Sequence, residues 1–314
     1  MFEQIRRLIE DHPRIILHRH KNPDGDALGS QLGLAYMLAD TYPDKEILCV
    51  GDMTPRYAFM AEEGMDEVAD TLYEGALAIV LDTSAASLIS DERYRTASAT
   101  ARIDHHLFVE TICQTEVTDT SFESCCGMIA AFAMEAGYTV SKKAAAALYT
   151  GMVTDSGRFR YDSTTPRTHR LAAFLLEREF DPTAIYRQLY RDELSSVQLR
   201  AAFTMKIQTT PYRVGYIYTT REELAACGAD VFTVSRGMVG TMSEIRGIDT
   251  WANFTEAEEG VLCELRSALY NVNEIAVKYG GGGHKKASGC TLKNREEAMA
   301  LLEELNQLAK ETDQ

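Results

Sequence analysis

The sequence predicts an α/β protein of two domains: a doubly wound, mostly parallel sheet followed by a smaller α+β unit. First, its 314 residues correspond to about two domains at roughly 150 residues each. Second, short apolar runs alternate with longer amphipathic segments, which is typical of an open sheet with helices on both faces. Third, an almost purely helical stretch interrupts this alternation between residues 165 and 208.

The first domain opens with an amphipathic segment, residues 2–11, which predicts a helix. Buried parallel strands are short continuous apolar runs. Four such runs follow, at residues 14–18, 46–50, 76–81 and 101–103, with helical patterns at 26–41, 123–136 and 142–153.

The second domain repeats the alternation after helical patterns at 171–177, 184–190 and 195–206. Its predicted strands are 213–218, 248–254, 262–266 and 287–292, and its helices include 272–279 and 295–308. We therefore predict a first domain at residues 1–190, with a helical connector to about residue 208, and a second domain at residues 209–314.

Composition and charge exclude several classes of protein. Apolar residues are 45% and charged residues 25%, as in ordinary globular proteins. Membrane spans and a signal peptide are not expected, because no apolar run approaches ~18 residues and the N-terminus is acidic and amphipathic. The net charge of −15 disfavours long duplex DNA, whose binding draws on cationic surface. Seven cysteines without CxxC spacing indicate reduced thiols and a cytoplasmic protein.

Acidic and imidazole side chains follow three predicted strands of the first domain. Because parallel strands end at one edge of a sheet, these groups are expected to converge although they are distant in sequence. They are His20, Asp24 and Asp26 after the first strand, Asp82 after the third, and Asp104, His105 and His106 after the fourth, with Asp155 after the helix at 142–153.

Four converging carboxylates, Asp24, Asp26, Asp82 and Asp155, would repel one another or protonate unless cations neutralise them. Two divalent ions would do so. Carboxylates with one or two imidazoles suit Mn²⁺ better than Zn²⁺ or an all-oxygen Mg²⁺ cage, although Mg²⁺ stays an alternative. Asp82, a lone acid at a strand tip, is the candidate for a ligand shared by both ions.

Each motif alone also has a purely structural interpretation. Residues 22–25, Asn-Pro-Asp-Gly, form an ordinary turn sequence. Asp82 and Asp155 could be helix caps, and the two histidines could be hydrogen-bonded loop residues. The occurrence of all of them at strand or helix ends of one sheet favours the metal site.

A glycine tract, residues 280–283, precedes His284 in the second domain. It could be a flexible linker. It could also be an anion-binding wall, since glycines admit a ligand close to the backbone and successive N–H groups bind anions. His284 could then bind a phosphate or stack on a base, and Arg266 could offer a bidentate fork. Lys285 and Lys286 could be no more than a solvated face.

The order and spacing of these motifs resemble the DHH phosphoesterase superfamily. The resemblance rests on His20-x-x-x-Asp24-x-Asp26 followed by Leu28-Gly29-Ser30, then Asp82, Asp104-His105-His106 and Asp155. The tail from Gly280 through His284 to Ala287-Ser288-Gly289 resembles the glycine-rich signature of its DHHA1 domain. Residues 154–159, 266–267 and 271–276 resemble the short two-domain subgroup of bacterial oligoribonucleases (nanoRNases), which also hydrolyse 3′-phosphoadenosine 5′-phosphate (pAp). Ser156 stands where threonine is usual there, and either hydroxyl could serve.

The resemblance implies roles for individual residues. One ion would be held by His20, Asp24, Asp82 and Asp155, and the other by Asp26, Asp82 and His105. His106 would face the substrate phosphate, and Asp104 would orient the histidine pair. Substrate would be bound in a cleft between the domains by Arg158, Arg266, Ser267, Gly281, Gly282, Gly283, His284 and Ser288.

The implied activity is Mn²⁺-dependent hydrolysis of short single-stranded RNA to mononucleotides, and of pAp to AMP, by two-metal activation of water. The main alternative is a phosphodiesterase of cyclic or linear dinucleotide messengers, such as c-di-AMP or pApA, which would use the same metals. A family II pyrophosphatase, a large single-strand DNA exonuclease and a non-catalytic nucleotide sensor fit less well. No membrane partner is expected, and a homodimer stays open.

Overall fold

The structure, a computed structural model, describes residues 1–61 and 64–312. The chain divides into two compact units, Met1–Arg191 and Asp192–Gln314. The segment expected to connect the domains includes a helix, Leu194–Thr204, that belongs to the second unit. Phe203 of that helix is buried in a core with Trp251 and Met242.

The first unit contains a parallel sheet of five strands. Its helices are α1 (Glu3–Asp11), α2 (Gly25–Thr41), α3 (Cys125–Ala136), α4 (Lys142–Asp155), α5 (Pro166–Leu176) and α6 (Pro182–Tyr190). Its strands are β1 (Arg14–His18), β2 (Glu46–Cys49), β3 (Ala76–Leu81), β4 (Ala99–Asp104) and β5 (Thr115–Thr118). The strand order is β2-β1-β3-β4-β5, and every neighbouring pair is parallel. The predicted mixed α/β fold is confirmed.

Successive side chains of the central strands enter different cores, as the alternation of a pleated strand requires. Leu77 and Ile79 pack in the large core to which α1–α6 contribute. Ala78 and Val80 pack instead with Tyr94, from the short 3₁₀ turn Glu92–Thr96. Long helices therefore cover one face of the sheet, and short helical turns and loops cover the other, whereas the sequence predicted a doubly wound sheet with helices on both faces.

The second unit contains a mixed sheet of six strands. Its helices are α7 (Leu194–Thr204), α8 (Arg221–Cys227), α9 (Asn273–Lys278) and α10 (Arg295–Thr312). Its strands are β6 (Gln208–Thr209), β7 (Gly215–Thr219), β8 (Thr250–Ala257), β9 (Gly260–Ser267), β10 (Gly282–His284) and β11 (Ala287–Leu292). The order is β10-β11-β9-β8-β7-β6, with β7 and β8 parallel and the other pairs antiparallel. Gly282 and Gly283 of the glycine tract thus lie in an edge strand.

All seven cysteines have free thiols, five of them buried, in agreement with the expectation of reduced cysteines. Among the described helices, none combines the length and apolar character that crossing a membrane requires.

Candidate active site

The loop from β1 to α2 places two predicted site residues, His20 and Asp24, at the carboxyl end of the sheet. Asp24 is the N-cap of α2: its Oδ1 accepts hydrogen bonds from the backbone N–H groups of Asp26 (2.9 Å) and Ala27 (3.0 Å). His20 Nε2 lies 3.9 Å from the same oxygen. Asp24 therefore serves as a structural cap and also lies within reach of the histidine.

Asp82 lies directly after β3, with its side chain 2% exposed. Its backbone φ is +53°, in the left-handed region that non-glycine residues seldom adopt and that occurs often at functional sites. Its Oδ2 is 3.5 Å from His20 Nε2, and its Oδ1 is 3.4 Å from His105 Nε2. Asp82 thus lies between two histidines that are far apart in sequence.

On the other side of Asp82, Asp26 is fixed by the first turn of α3. Its two oxygens accept the backbone N–H groups of Cys125 (2.7 Å) and Cys126 (2.9 Å), which places the carboxylate at the positive end of the helix. His105 Nε2 lies 3.7 Å from Asp26 Oδ2 and 3.5 Å from Asp155 Oδ2.

Asp155 reaches this site because α4 ends beside the start of α2. A glycine permits this close approach: a Cβ at Gly25 would lie 2.5 Å from Thr154 Oγ1. Asp155 is the last residue of α4. Its place at a helix end is as the sequence predicted, and the packing of two helices brings it to the strand tips.

Asp104 orients His106. Asp104 Oδ1 lies 2.8 Å from His106 Nδ1 and accepts a bond of 3.3 Å from the His106 backbone N–H. With Nδ1 donating to a carboxylate, the ring is fixed in one orientation and its Nε2 takes no part in this bond. The other oxygen of Asp104 is buried without a hydrogen-bond partner among the described residues.

The six predicted metal ligands and His106, which was predicted to face the substrate phosphate, form a single Asp/His cluster. We define it as His20, Asp24, Asp26, Asp82, His105, His106 and Asp155. Three sets of potential ligand atoms within it each lie within 4.8 Å of one another: His20 with Asp24 and Asp82, Asp82 with His105 and His106, and Asp26 with His105 and Asp155. Asp155 therefore groups with Asp26 and His105, whereas the resemblance implied an ion shared with His20 and Asp24.

The charges of the cluster are strongly coupled. Burial, followed by repulsion from Asp82, raises the pKa of Asp26 well above its usual value. Burial is also the largest cause that raises the pKa of Asp155 to about 7. Burial opposes protonation of the histidines, but Asp82 outweighs it and raises the pKa of His20 to about 9 and that of His105 to about 10.

The cluster therefore has the properties of a cation site. Burial opposes ionisation of Asp82, yet the neighbouring imidazoles of His105 and His20 hold its pKa well below the usual range. Asp82 Oδ1 is buried without a hydrogen bond among the described residues, so it retains the capacity to bind a cation. Mixed carboxylate and imidazole donors around this oxygen fit divalent transition-metal ions.

Two buried arginines, which the sequence analysis did not single out, hold the loops of the cluster. Arg19 donates to Gln31 Oε1 (2.9 Å) and to Asp52 Oδ1 (3.3 Å), and Asp52 in turn accepts the backbone N–H of Asn22 (2.7 Å). Arg102 occupies a fully buried position in β4. In the sequence, each of these arginines could have been noticed as a charged residue within, or directly beside, an apolar run that predicts a strand.

The predicted substrate-binding residues lie in both units. In the first unit, Arg158 follows α4 with a φ of +64°, and its guanidinium lies 4.2 Å from the ring centroid of Tyr190. In the second unit, Arg266 pairs with Ala287 between β9 and β11, and Gly283 pairs with Ser288 between β10 and β11. These strand pairings bring Arg266, Gly283, His284 and Ser288 together.

Two of the residues predicted in the second unit have structural contacts. Arg266 Nη1 donates to Glu264 Oε2 (3.1 Å) and to the Leu265 carbonyl (2.8 Å). Ser267 is buried, and its Oγ accepts the backbone N–H groups of Leu269 (3.1 Å) and Tyr270 (2.7 Å). The structure thus gives Ser267 a role in shaping the turn after β9.

Asn273 fixes the glycine tract. Its Nδ2 donates to the Gly283 carbonyl (2.7 Å) and to Ser288 Oγ (3.2 Å). Ser288 Oγ in turn donates to the His284 carbonyl (2.7 Å). In the sequence, Asn273 stands out only as part of a segment that resembles the family, because its partners lie across a turn that no local pattern reveals.

The fold and the cluster define a class of metal-dependent phosphoesterases, and family comparisons agree. The model of the DHH family N-terminal domain matches residues 14–152, and the model of the DHHA1 domain matches residues 232–311. The chain therefore belongs to the DHH phosphoesterase family and is a hydrolytic enzyme.

Within this family, the chain is similar along its whole length to proteins named bifunctional oligoribonuclease and PAP phosphatase NrnA. The Bacillus subtilis protein is 35% identical over 314 residues, with 99% of each chain covered. A Streptococcus mutans protein, named as a probable member, is 33% identical, with 98% of this chain and 99% of the relative covered. A crystal structure of an exopolyphosphatase-related protein from Bacteroides fragilis superposes with a TM-score of 0.86 at 26% identity, covering 98% of this chain and 97% of that one.

Proposed function

We propose that this enzyme hydrolyses short oligoribonucleotides to mononucleotides and pAp to AMP, with two divalent ions, Mn²⁺ in particular, in the Asp/His cluster. The observation that carries the proposal is Asp82, a buried carboxylate with one oxygen directed at His20 and the other at His105. The names of the full-length relatives support the substrate class.

The arrangement of the cluster suggests the ligands of each ion. His20, Asp24 and Asp82 would hold one, and Asp26, Asp82, His105 and Asp155 the other. We assign Asp155 to the second ion because it lies 3.5 Å from His105. When bound, the two ions would supply Lewis acidity to activate water and to stabilise charge on the phosphate oxygens.

The residues of the chain itself position the reaction. The α3 N–H groups hold Asp26 in place, so little reorganisation of this carboxylate is needed during turnover. The hydrogen bond that His106 donates to Asp104 raises the pKa of His106, so the imidazole retains a proton that it can donate to a phosphate oxygen or to the leaving oxygen. Asp104 acts through His106 as a positioning residue.

Recognition would involve the guanidinium groups of Arg158 and Arg266 and the glycine tract, with His284 and Ser288. Guanidinium groups match phosphate geometry, and glycine N–H groups bind anions. The net charge of −15 disfavours long nucleic acids, because their many phosphates are repelled beyond any locally cationic site. Short substrates present few phosphates outside that site.

A substrate panel tests this function. Purified protein is incubated with pAp, RNA dinucleotides, RNA 5-mers, c-di-AMP and pyrophosphate, each with Mn²⁺ and with Mg²⁺. We expect the largest kcat/KM values for pAp and dinucleotides with Mn²⁺. Turnover restricted to c-di-AMP or pyrophosphate, or turnover that resists removal of metal by a chelator, would contradict the proposal.

A further inference from the structure

The loop that follows the histidine pair presents three consecutive large apolar side chains to solvent. Leu107 is 76% exposed, Phe108 63% and Val109 61%. Single exposed apolar residues are common on protein surfaces, but contiguous apolar patches mark binding sites. This apolar tip, residues 107–109, begins directly after His106.

The apolar tip is part of an anchored loop. On one side, Asp104 accepts the backbone N–H of His106. On the other side, Glu110 Oε1 accepts the backbone N–H of Ala86 (2.8 Å), and Arg102 Nη1 donates to the Glu110 carbonyl (3.3 Å). The apolar tip is therefore exposed on a loop that hydrogen bonds hold in place on both sides.

The buried side chain of Arg102 connects this loop to the core of the first unit. Its side chain is fully buried, and its Nη2 donates to Glu116 Oε2 (3.0 Å). The other oxygen of Glu116 accepts the backbone N–H groups of Ile112 (2.6 Å) and Cys113 (2.9 Å), just beyond the tip. Burial of a guanidinium is unfavourable unless it is paired and hydrogen-bonded. Here Nη1 and Nη2 of Arg102 find partners at Glu110 and Glu116, whereas Nε is buried without a hydrogen bond among the described residues.

The position of the tip relates it to the substrate. Phe108 is two residues from His106, so their Cα atoms are at most ~7 Å apart. In a nucleotide whose phosphate contacts His106, only the sugar separates that phosphate from the nucleobase. The Asp/His cluster supplies charge and polar donors, whereas the tip supplies the flat apolar surface on which a base can stack.

We propose that Phe108, flanked by Leu107 and Val109, stacks on the nucleobase attached to the scissile phosphate. This inference rests on the proposed function, because it takes the substrate to be a nucleotide. Stacking tolerates every base, because each has a π-face, so the tip would add affinity without strict sequence preference. The larger purine ring systems would gain more than pyrimidines.

Kinetics of Phe108→Ala test the inference. We expect the KM for pAp to rise about tenfold to hundredfold, the range of base–aromatic stacking, with a smaller change in kcat. Inhibition by AMP should weaken by a similar factor, and inhibition by ribose 5-phosphate, which lacks the base, should not change. Phe108→Trp should preserve a low KM. Met134→Ala, which removes another exposed apolar side chain of the first unit, is the matched control and should leave all constants unchanged.

A binding measurement makes the test independent of turnover. In Phe108→Trp, we expect AMP to quench the added indole fluorescence, measured as a difference from the unmodified protein, and ribose 5-phosphate to have no effect. An unchanged KM in Phe108→Ala, equal weakening of AMP and ribose 5-phosphate, or an oligomer that dissociates on this substitution would each overturn the inference. If the unmodified protein hydrolyses neither pAp nor dinucleotides, the proposed function fails, and quenching by AMP still reports whether a base stacks at position 108.

Discussion

The Asp/His cluster and the glycine tract, the two regions that the sequence singled out, are built in different ways. In the cluster, Asp26 and Asp82 are 1% and 2% exposed, and their positions are fixed by backbone N–H groups and neighbouring imidazoles. In the tract, Gly283 and His284 lie exposed on an edge strand, and Asn273 and Ser288 hold their carbonyl groups.

Under the proposed function, this difference separates the residues of the reaction from those that bind the substrate. Buried carboxylates confine charge to one place, where a cation must compensate it. In the exposed glycine tract no side chains cover the backbone, which leaves room for a ligand to approach it. Substitutions in the cluster should therefore act on catalysis, and substitutions in the tract on binding and local stability.

Asp82→Asn would produce the largest effect. Asparagine tolerates the left-handed backbone at this position, so the fold should persist while the shared charge is lost. A loss of several kcal/mol of transition-state stabilisation corresponds to a fall in kcat/KM of roughly 10³-fold or more. Asp44→Asn, which removes an exposed acid, controls for net charge and should retain activity. Activity of Asp82→Asn close to that of the unmodified enzyme would remove Asp82 from the reaction.

Asp104→Asn should have an intermediate effect, because it acts through His106. Loss of an orienting carboxylate typically costs about 10- to 100-fold in activity, and here the fall should appear mainly in kcat. The hydrogen bond that His106 donates to Asp104 raises the pKa of His106, so the substitution should lower this pKa and move the alkaline limb of the pH–rate profile to lower pH. A changed KM with an unmoved profile would argue against this role.

The affinity for Mn²⁺ should rise with pH. In the metal-free cluster the pKa values of Asp155, His20 and His105 are raised to about 7, 9 and 10, so these groups hold protons at neutral pH that ligation must displace. For each proton released, the dissociation constant should fall about tenfold per pH unit between pH 6 and 8. Titration calorimetry in buffers of different ionisation enthalpy counts the protons. A pH-independent affinity would show that the cluster is not the binding site.

Two glycines of the tract provide the smallest and most local comparison. Gly283 has a φ of +136°, and a Cβ there would lie 2.6 Å from the Ala287 carbonyl oxygen, so Gly283→Ala should destabilise the protein by about 1–3 kcal/mol. A Cβ at Gly282 would meet no atom within 4 Å, so Gly282→Ala should be tolerated. Thermal unfolding measures both. Equal losses of stability in the two variants would show that the backbone conformation of Gly283 does not require glycine.

Much of the fold could be predicted from local pattern. The bounds of β1, β3 and β11 match the predicted strands, because a buried strand is a continuous apolar run or a clear alternation. The strand β5, Thr-Glu-Val-Thr, was missed. It is a short, half-exposed edge strand whose polar residues resemble a loop.

The site shows the same limit. Residues at strand ends could be expected to converge, because the geometry of a parallel sheet requires it. The partners of Asp155 could not be derived in this way, since they depend on how α4 packs against α2 at Gly25. The anchoring by Arg102 was equally inaccessible, because its partner Glu116 lies on the edge strand that the pattern did not reveal.

The proposed function requires Asp82 to be shared by two cations. Diffraction data collected at the manganese absorption edge from crystals grown with Mn²⁺ test this directly. We expect two anomalous peaks, one on the His20 side of Asp82 and one on the His105 side. A single peak, or peaks remote from this carboxylate, would contradict it.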